Sequence, residues 1–413
     1  MASASTNLLA DEILARCDVL ARFSEKPDRL TRTFLAAPMK QVHEVLGAWM
    51  RDAGLTVRLD AIGNLIGHYP AKHASAPVFL IGSHLDTVPD AGKYDGILGV
   101  LLGVATIQRL AGERLPFAVD VLAFSEEEGV RYRASYLGSS AVCGCFDREL
   151  LKRVDADGIS MATALRDFGL DPDRIHTAAY PRERVLGYLE AHIEQGPVLE
   201  EKHLALGVVE AIVGQSRLWL EFEGKAGHAG TQPMELRRDA LAAAAEFVVA
   251  VEHSAQHTAG LRATVGAISA LPGAVNVVPG LARLSLDVRH ADDAVRERAI
   301  ETLLAEANRI GMKRGIAVRV ERAEQLGSVS TDVRLTNILA SAAQSVGQTP
   351  LRMVSGAGHD AAIMARLTPM TMLFVRSPGG ISHHPDESVL RDDVAAALDG
   401  MVAFLHRLAG EMT

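Results

Sequence analysis

An α/β fold is expected for this chain: a helix-covered, mixed and mainly parallel sheet, interrupted by a smaller inserted α+β unit. Three observations lead there. The apolar runs PVFLIGSHLD (77–86) and AVDVLAFSEEE (118–128) both end in polar side chains, and the apolar, glycine-rich LGVLLGVATIQRL (98–110) lies between them. Strand, buried helix and strand at that spacing imply a parallel crossover. The middle of the chain instead alternates strands and long helices in the order βαββαβ, which is the ferredoxin-like arrangement. Finally, 413 residues exceed what one hydrophobic core usually supports.

Taken in order, residues from Leu8 to Gly54 read as helical. The run VHEVLGAWMRDAG closes on Gly54, a residue suited to a left-handed C-terminal turn. The two strands and the buried helix already described follow. After them, SRLWLEFEGK (216–225) alternates as a strand and MELRRDALAAAAEFVVAVEHSAQ (234–256) is a long helix. RATVGAIS (262–269) and ARLSLDVRH (282–290) are strands, DDAVRERAIETLLAEANRIGM (292–312) is a second helix and IAVRVERA (316–323) a last strand. The inserted unit is therefore set at 213–327, with 1–212 and 328–413 forming the other domain. The C-terminal segment carries a helix, SGAGHDAAIM (355–364), the strand TMLFVRS (371–377) and a final helix, so the tail is expected to return to the first sheet.

Composition excludes several function classes. With 48% hydrophobic and 23% charged residues the chain is an ordinary globular one. Its 42 basic against 51 acidic residues, net −9, disfavour nucleic acid as a partner. Cys17, Cys143 and Cys145 make no even disulfide framework. The opening MASASTNLLADEIL lacks a basic-then-apolar leader, and no stretch reaches the roughly 18 uninterrupted apolar residues of a membrane span. A cytoplasmic protein with no membrane partner is expected.

Five side chains in separate short signatures could hold metal: His84, Asp95, Glu128, His192 and His384. Imidazoles with carboxylates suit Zn, Mn, Co or Ni without thiolates. In GSHLDTV, Asp86 follows His84 by two positions and can orient its ring from behind. Asp95 precedes a glycine in GKYDGILG, where a plain turn aspartate is the competing reading. In SEEEGVR, three consecutive carboxylates at a strand end repel one another unless a cation or proton intervenes, the alternative being a solvated acidic loop. Strict alternation would send Glu126 and Glu128 to one side and Glu127 to the other, but a strand end need not keep it. AHIEQGPVLE supplies His192 beside Glu194 and Gln195, and GGISHHPDES supplies His383 and His384 in a glycine-rich loop. These positions follow strands, where open α/β sheets carry their sites, and the combination points to metal-assisted hydrolysis.

Seven ordered motifs, GSHLDTVPDAGKYDG, FSEEEGVR, AHIEQGPVLE, GHAGTQPM, NVVPG, SGAGHDA and GGISHHP, run through nearly the whole chain. In them the chain resembles the hydantoinase/carbamoylase branch of the metallopeptidase-like amidohydrolases related to carboxypeptidase G2. The resemblance implies two divalent ions per subunit, Mn or Zn with Co or Ni as alternatives. Asp95 would bridge them, His84 and His192 would complete one site, and Glu128 and His384 the other. It also implies Glu127 as general base, a cis peptide between Asp95 and Gly96, and substrate contacts from Gln195, His228, Asn276, Arg289 and Gly358. The fork of Arg289 suits a carboxylate, while His228 and Asn276 can donate to polarised oxygens, His228 also stabilising the oxyanion. In the family that histidine serves the neighbouring subunit, which implies a homodimer formed through an inserted lid and dimerisation domain. Related peptidases use a carboxylate where this chain has His192, so a ureido substrate is favoured over a peptide.

Within that branch the expected substrate is a small ureido carboxylate. DAGKYDG, FSEEEGVR, VRSPGGISHHP and GNLIG look most like the allantoate enzymes. The expected reaction converts allantoate to ureidoglycine, ammonia and carbon dioxide. N-carbamoyl-L-amino acid hydrolysis is the main alternative, with ureidopropionate or ureidoglycolate as further candidates. An aminoacylase or peptidase with the same metals, or a non-catalytic ligand-binding protein, would be a different class.

Overall fold

The computed structural model describes residues 4–412. The chain divides into two compact units, one made of the residues up to Glu210 with those from Thr331 onward, the other of Ala211–Ser330.

The strands run in chain order as β1 (Thr56–Leu59), β2 (Leu65–Tyr69), β3 (Val78–His84), β4 (Ala118–Phe124), β5 (Val185–Ile193) and β6 (Leu206–Ile212). Next come β7 (Gly214–Glu223), β8 (Gly227–His228), β9 (Arg262–Thr264), β10 (Ile268–Leu271), β11 (Val277–Val278), β12 (Leu281–His290), β13 (Ala317–Leu326) and β14 (Val329–Ser330), followed by β15 (Leu351–Ser355) and β16 (Met370–Val375). The large sheet is ordered β1-β2-β4-β3-β5-β16-β6-β14, with β15 also on β6. Its centre is parallel: β4 and β5 flank β3, and β16 lies on the other side of β5. Antiparallel β2 and β6 flank that block, so the sheet is mixed with a parallel heart.

Sequence explains that heart. Every residue of β4 and all but the first of β3 are buried, because helices cover both faces and leave no polar side for alternation. The helix Ile97–Leu110 is apolar around most of its circumference and buries all but two of its residues. Glycines let it sit close to the sheet. A Cβ on Gly99 would lie 1.9 Å from the Ala191 carbonyl oxygen of β5 and 2.9 Å from the Ser83 side chain of β3. The helices Val333–Ser345 and Arg391–Gly410 pack in the same core through Leu335, Leu339, Met401 and Phe404.

The second unit contains a sheet ordered β10-β12-β7-β13 with β9 also on β12, all its pairs antiparallel. Its helices Ala240–His257 and Asp293–Arg314 bury Phe247, Val251, Ile300 and Leu303 against Leu220, Phe222, Leu284 and Leu286. Asp239 and Asp292 cap them, accepting from the N–H of Ala242 and of Ala294 and Val295.

Several sequence expectations are corrected. The helical stretch from Leu8 to Gly54 is two helices, Ala4–Ala21 and Ala37–Asp52. The link between them is held by the buried Arg32 guanidinium, which donates to the carbonyls of Leu20, Phe23 and Leu85. RATVGAIS is split into β9 and β10, and the helix read from Met234 starts at Ala240 behind a short 3-10 turn. The expected cis bond at Asp95–Gly96 is not found; the cis peptide among the described residues is Leu271–Pro272. No helix of the described residues is long and apolar enough to cross a membrane.

The close approach of Gly99 to β5 is testable. Gly99→Ala should destabilise the protein by about 1–3 kcal/mol, the cost of overpacking a tight core. Urea denaturation of both proteins checks this, and an unchanged midpoint would mean that the helix shifts without penalty.

Candidate metal centre

The parallel strands β4, β3, β5 and β16 deliver their C-terminal ends to one edge. His84 is the last residue of β3, His192 the penultimate residue of β5, Glu127 and Glu128 follow β4, and Ser382 and His383 follow β16. Asp95 stands just before the helix Ile97–Leu110.

One group consists of His84, Asp95 and His192, all buried. The Nδ1 of His84 lies 3.0 Å from the Asp86 carbonyl oxygen and that of His192 lies 2.9 Å from the Ile193 carbonyl oxygen. Those carbonyls can only accept, so both Nδ1 atoms donate and both Nε2 atoms face inward. Asp95 Oδ1 is 3.1 Å from His192 Nε2 and 3.5 Å from His84 Nε2, yet it is buried without a well-formed hydrogen bond. Two inward ring nitrogens and one unsatisfied carboxylate oxygen converging this closely fit a borderline divalent cation. Burial works against charge on His84, but Asp86 and Asp95 override it and hold the imidazole well above its ordinary value. A cation at this group would compete with a proton for the His84 imidazole.

A second group is Asp95, Glu128 and His383. His383 Nε2 lies 3.2 Å from Asp95 Oδ2 and 3.6 Å from Glu128 Oε1. Bonding to Asp95 raises the His383 imidazole to about 9. Here the structure departs from the sequence expectation of His384. That residue is exposed, its Nδ1 accepts the Asp386 N–H at 3.2 Å, and its carbonyl accepts from the Glu387 N–H at 3.0 Å. His384 thus shapes the turn after His383, whereas His383, at φ 56, points to the carboxylates. The doublet in SHHP contained the signal, but sequence could not say which imidazole faces inward.

The acidic run is shaped by Asp86. Its Oδ1 accepts the Glu127 N–H at 2.9 Å and its Oδ2 the Glu128 N–H at 3.1 Å, while Oδ1 also lies 3.5 Å from His84 Nδ1. Because β4 ends at Phe124, alternation lapses, and Glu127 and Glu128 both join His84 with ligating atoms within 4.8 Å of one another. Glu126 turns away and accepts from the Gly129 N–H. Burial pushes the Glu127 carboxyl well above its ordinary range, and burial followed by the charge of Asp95 raises Glu128 to about 7. A bound cation would reverse that logic by favouring the ionised forms.

Of the remaining candidates, Gln195 lies in the centre: its Nε2 donates to Asp95 Oδ2 at 2.9 Å and to Ser382 Oγ at 3.1 Å. Gly358 sits under Tyr136, whose hydroxyl would be 2.0 Å from a Cβ added there. The other three belong to the second unit. His228 in β8 pairs with Val277 of β11, and the Asn276 carbonyl accepts from the Ala229 N–H at 2.9 Å. Arg289 in β12 forks onto Asp287, Nε to Oδ1 at 2.8 Å and Nη2 to Oδ2 at 3.1 Å.

Three residues escaped sequence reasoning. Glu190, fully buried in β5, accepts from Ser83 Oγ, Tyr188 Oη and the Ala361 N–H. His359 is buried with its ring 4.6 Å from that of His192 and is held by Ser355 Oγ at 2.8 Å. Glu387 accepts from the N–H groups of Tyr94 and Asp95 at 2.9 and 3.1 Å. His359 lies in the SGAGHDA motif and Glu387 in HHPDE, but neither motif tells where the side chain faces, and Glu190 had no such cue.

The model of peptidase family M20/M25/M40 matches residues 80–407. The chain belongs to this family. The family is metal-dependent, in keeping with the ligand groups above. The chain is 40% identical to an allantoate deiminase of Arabidopsis thaliana over 96% of its own length and 82% of the relative's. It is 38% identical to an N-carbamoyl-L-amino acid amidohydrolase of Geobacillus stearothermophilus, over 92% and 93% of the two chains. The solved structure of a hydantoinase/carbamoylase family amidase from Burkholderia multivorans is similar at 31% identity and TM-score 0.90, covering 96% of this chain and 97% of that one.

The contrast between the neighbouring histidines gives a sharp expectation. His383→Ala should weaken Mn binding by more than about tenfold, the scale on which metal sites respond to lost support, while His384→Ala changes it by less than about twofold. Calorimetric titration of metal-stripped protein checks both. Because each ion displaces protons from His84 and from His383, which titrates at about 9, wild-type affinity should also rise with pH between about 6 and 8.

Proposed function

We propose that the protein is a dinuclear metal-dependent amidohydrolase acting on allantoate. The observation that carries the reading is the convergence of His84 and His192 on an Asp95 oxygen with no hydrogen bond of its own, in a chain 40% identical to an allantoate deiminase. Two divalent ions per chain are assigned, one to His84, Asp95 and His192, the other to Asp95, Glu128 and His383. Manganese is the preferred identity from the resemblance to allantoate enzymes, with zinc the alternative, and Co and Ni also suit these donors. When bound, such ions supply Lewis-acid polarisation of a carbonyl and of a nucleophilic water.

The chain's own residues then do the rest. Glu127 takes a proton from the water that attacks the ureido carbonyl and returns it to the departing nitrogen. The C–N bond breaks, the amine leaves as ureidoglycine, and the carbamate formed decomposes to ammonia and carbon dioxide. Asp86 holds the Glu127 N–H and so aims the base. Substrate recognition is assigned to Gln195 and Gly358, with His228, Asn276 and Arg289 supplying donors for the oxyanion and the carboxylate. The unit Ala211–Ser330 is assigned as lid and dimerisation domain of a homodimer.

A second reading, hydrolysis of N-carbamoyl-L-amino acids, is favoured by the 38% identity to such an enzyme from Geobacillus stearothermophilus. Both reactions use the same base, so substrate preference separates them. Manganese-loaded protein should release ammonia faster from allantoate than from N-carbamoyl-L-methionine or ureidopropionate. Glu127→Gln should lower kcat/KM by about 10²–10⁴-fold, the usual range for a lost general base. Preference for N-carbamoyl-L-methionine would overturn the substrate, and full activity in the variant would overturn the base.

A further inference from the structure

Glu387 is remote from Asp95 in sequence and 3% exposed. Its Oε1 accepts from two successive backbone N–H groups, Tyr94 at 2.9 Å and Asp95 at 3.1 Å. Its own N–H donates to the His384 carbonyl at 3.0 Å, closing the turn that follows His383. One side chain therefore ties the backbone that carries Asp95 to the loop that carries His383.

The opposite wall of this contact is Gly92. A Cβ there would lie 2.3 Å from both the Glu387 carboxyl carbon and Oε1, and 2.4 Å from its Cβ. Gly92 is not at positive φ, so its lack of a side chain answers to space for Glu387 rather than to backbone conformation. The carboxyl group thus has a fitted seat. Its Oε2 is buried without a hydrogen-bond partner, a cost that the contacts of Oε1 must offset.

Asp95 needs such a support. Its two oxygens face different histidines, Oδ1 towards His192 and His84 and Oδ2 towards His383, so a small rotation would favour one group at the expense of the other. We propose that Glu387 is a positioning residue for the metal centre, gripping the Tyr94–Asp95 backbone so that Asp95 serves both ligand groups. It touches no ligating atom and acts through Asp95. The proposal rests on the metal-centre reading given above.

The test is calorimetric titration of metal-stripped full-length protein with manganese, then zinc, with circular dichroism to establish folding. Wild-type protein that binds neither manganese nor zinc would sink the centre itself, before Glu387 is in question. Given wild-type binding, Glu387→Ala should lose about 10–100-fold in affinity, as for other residues that support a metal ligand from behind. Glu387→Gln keeps a carbonyl oxygen for both N–H groups and should stay within about threefold of wild type. Gly92→Ala, which crowds the carboxylate without removing it, should weaken binding in the same direction as Glu387→Ala. If Glu387→Ala does not fold, Gly92→Ala and Glu387→Gln decide. A folded Glu387→Ala protein, or in its absence a folded Gly92→Ala protein, with wild-type affinity would overturn the proposal, even if its melting temperature falls. A Gln variant as defective as the Ala variant would overturn it too, because charge rather than the grip on the two N–H groups would then matter.

Discussion

Mutual repulsion among buried carboxyl groups is the constraint that this structure is built around. Asp86, Asp95, Glu126 and Glu127 are buried close together, with Glu128 beside them and Glu190, Asp360 and Glu387 also inside the protein. Burying even one such charge without a partner costs several kcal/mol, so the set is tenable only if protons, donors or cations neutralise it. Asp86 is satisfied by two backbone N–H groups and Glu190 by two hydroxyls and one backbone N–H. Asp95, Glu127 and Glu128 are different: apart from the Gln195 amide and the Ser382 hydroxyl on Asp95 Oδ2, their neighbours are imidazoles and one another. Despite burial, the facing imidazoles hold Asp95 well below the usual carboxylate range, whereas burial pushes Glu127 and Glu128 up, a balance that a divalent ion would reverse at the two glutamates.

The parallel sheet makes that concentration geometrically feasible. Adjacent parallel strands end at the same edge, so the residues that follow β4, β3, β5 and β16 meet although they are nearly three hundred positions apart in sequence. Outer-shell groups then set each ligand's direction. Carbonyls of Asp86 and Ile193 turn His84 and His192 inward, and the Asp86 carboxylate aligns the acidic loop. Asp86 thereby serves both the proposed ligand His84, through its carbonyl oxygen, and the proposed base Glu127, through Oδ1, which also lies 3.5 Å from His84 Nδ1.

Much of this was legible in sequence because it is local. Strand ends, the buried helix with its glycines, and the signatures holding His84, Asp95, Glu128 and His192 are all read within about ten residues. The limits appear where local pattern underdetermines orientation. His383 and His384 are chemically identical neighbours, and only the turn formed by His384, Asp386 and Glu387 decides which one faces Asp95. Alternation likewise could not orient Glu126, Glu127 and Glu128, because the strand ends at Phe124, before the acidic run begins. The link through Arg32, which interrupts the expected first helix, depends on carbonyls of Leu20, Phe23 and Leu85 and has no periodicity to betray it.

Chain order adds a last consequence. The His84, Asp95 and His192 group is complete before residue 211, whereas the other group needs His383, which follows the inserted unit and β16. The two groups share Asp95, so its carboxylate can be saturated only once the C-terminal segment has packed beside β5. Docking of β16 is driven by apolar burial, with Met372, Leu373, Phe374 and Val375 all enclosed, and needs no metal. The sheet can therefore form first and leave the ligands preorganised, so that metal binding adds its free energy to a fold already in place instead of creating one. That order distinguishes this centre from small zinc domains, whose ligands have no core to hold them before the ion arrives.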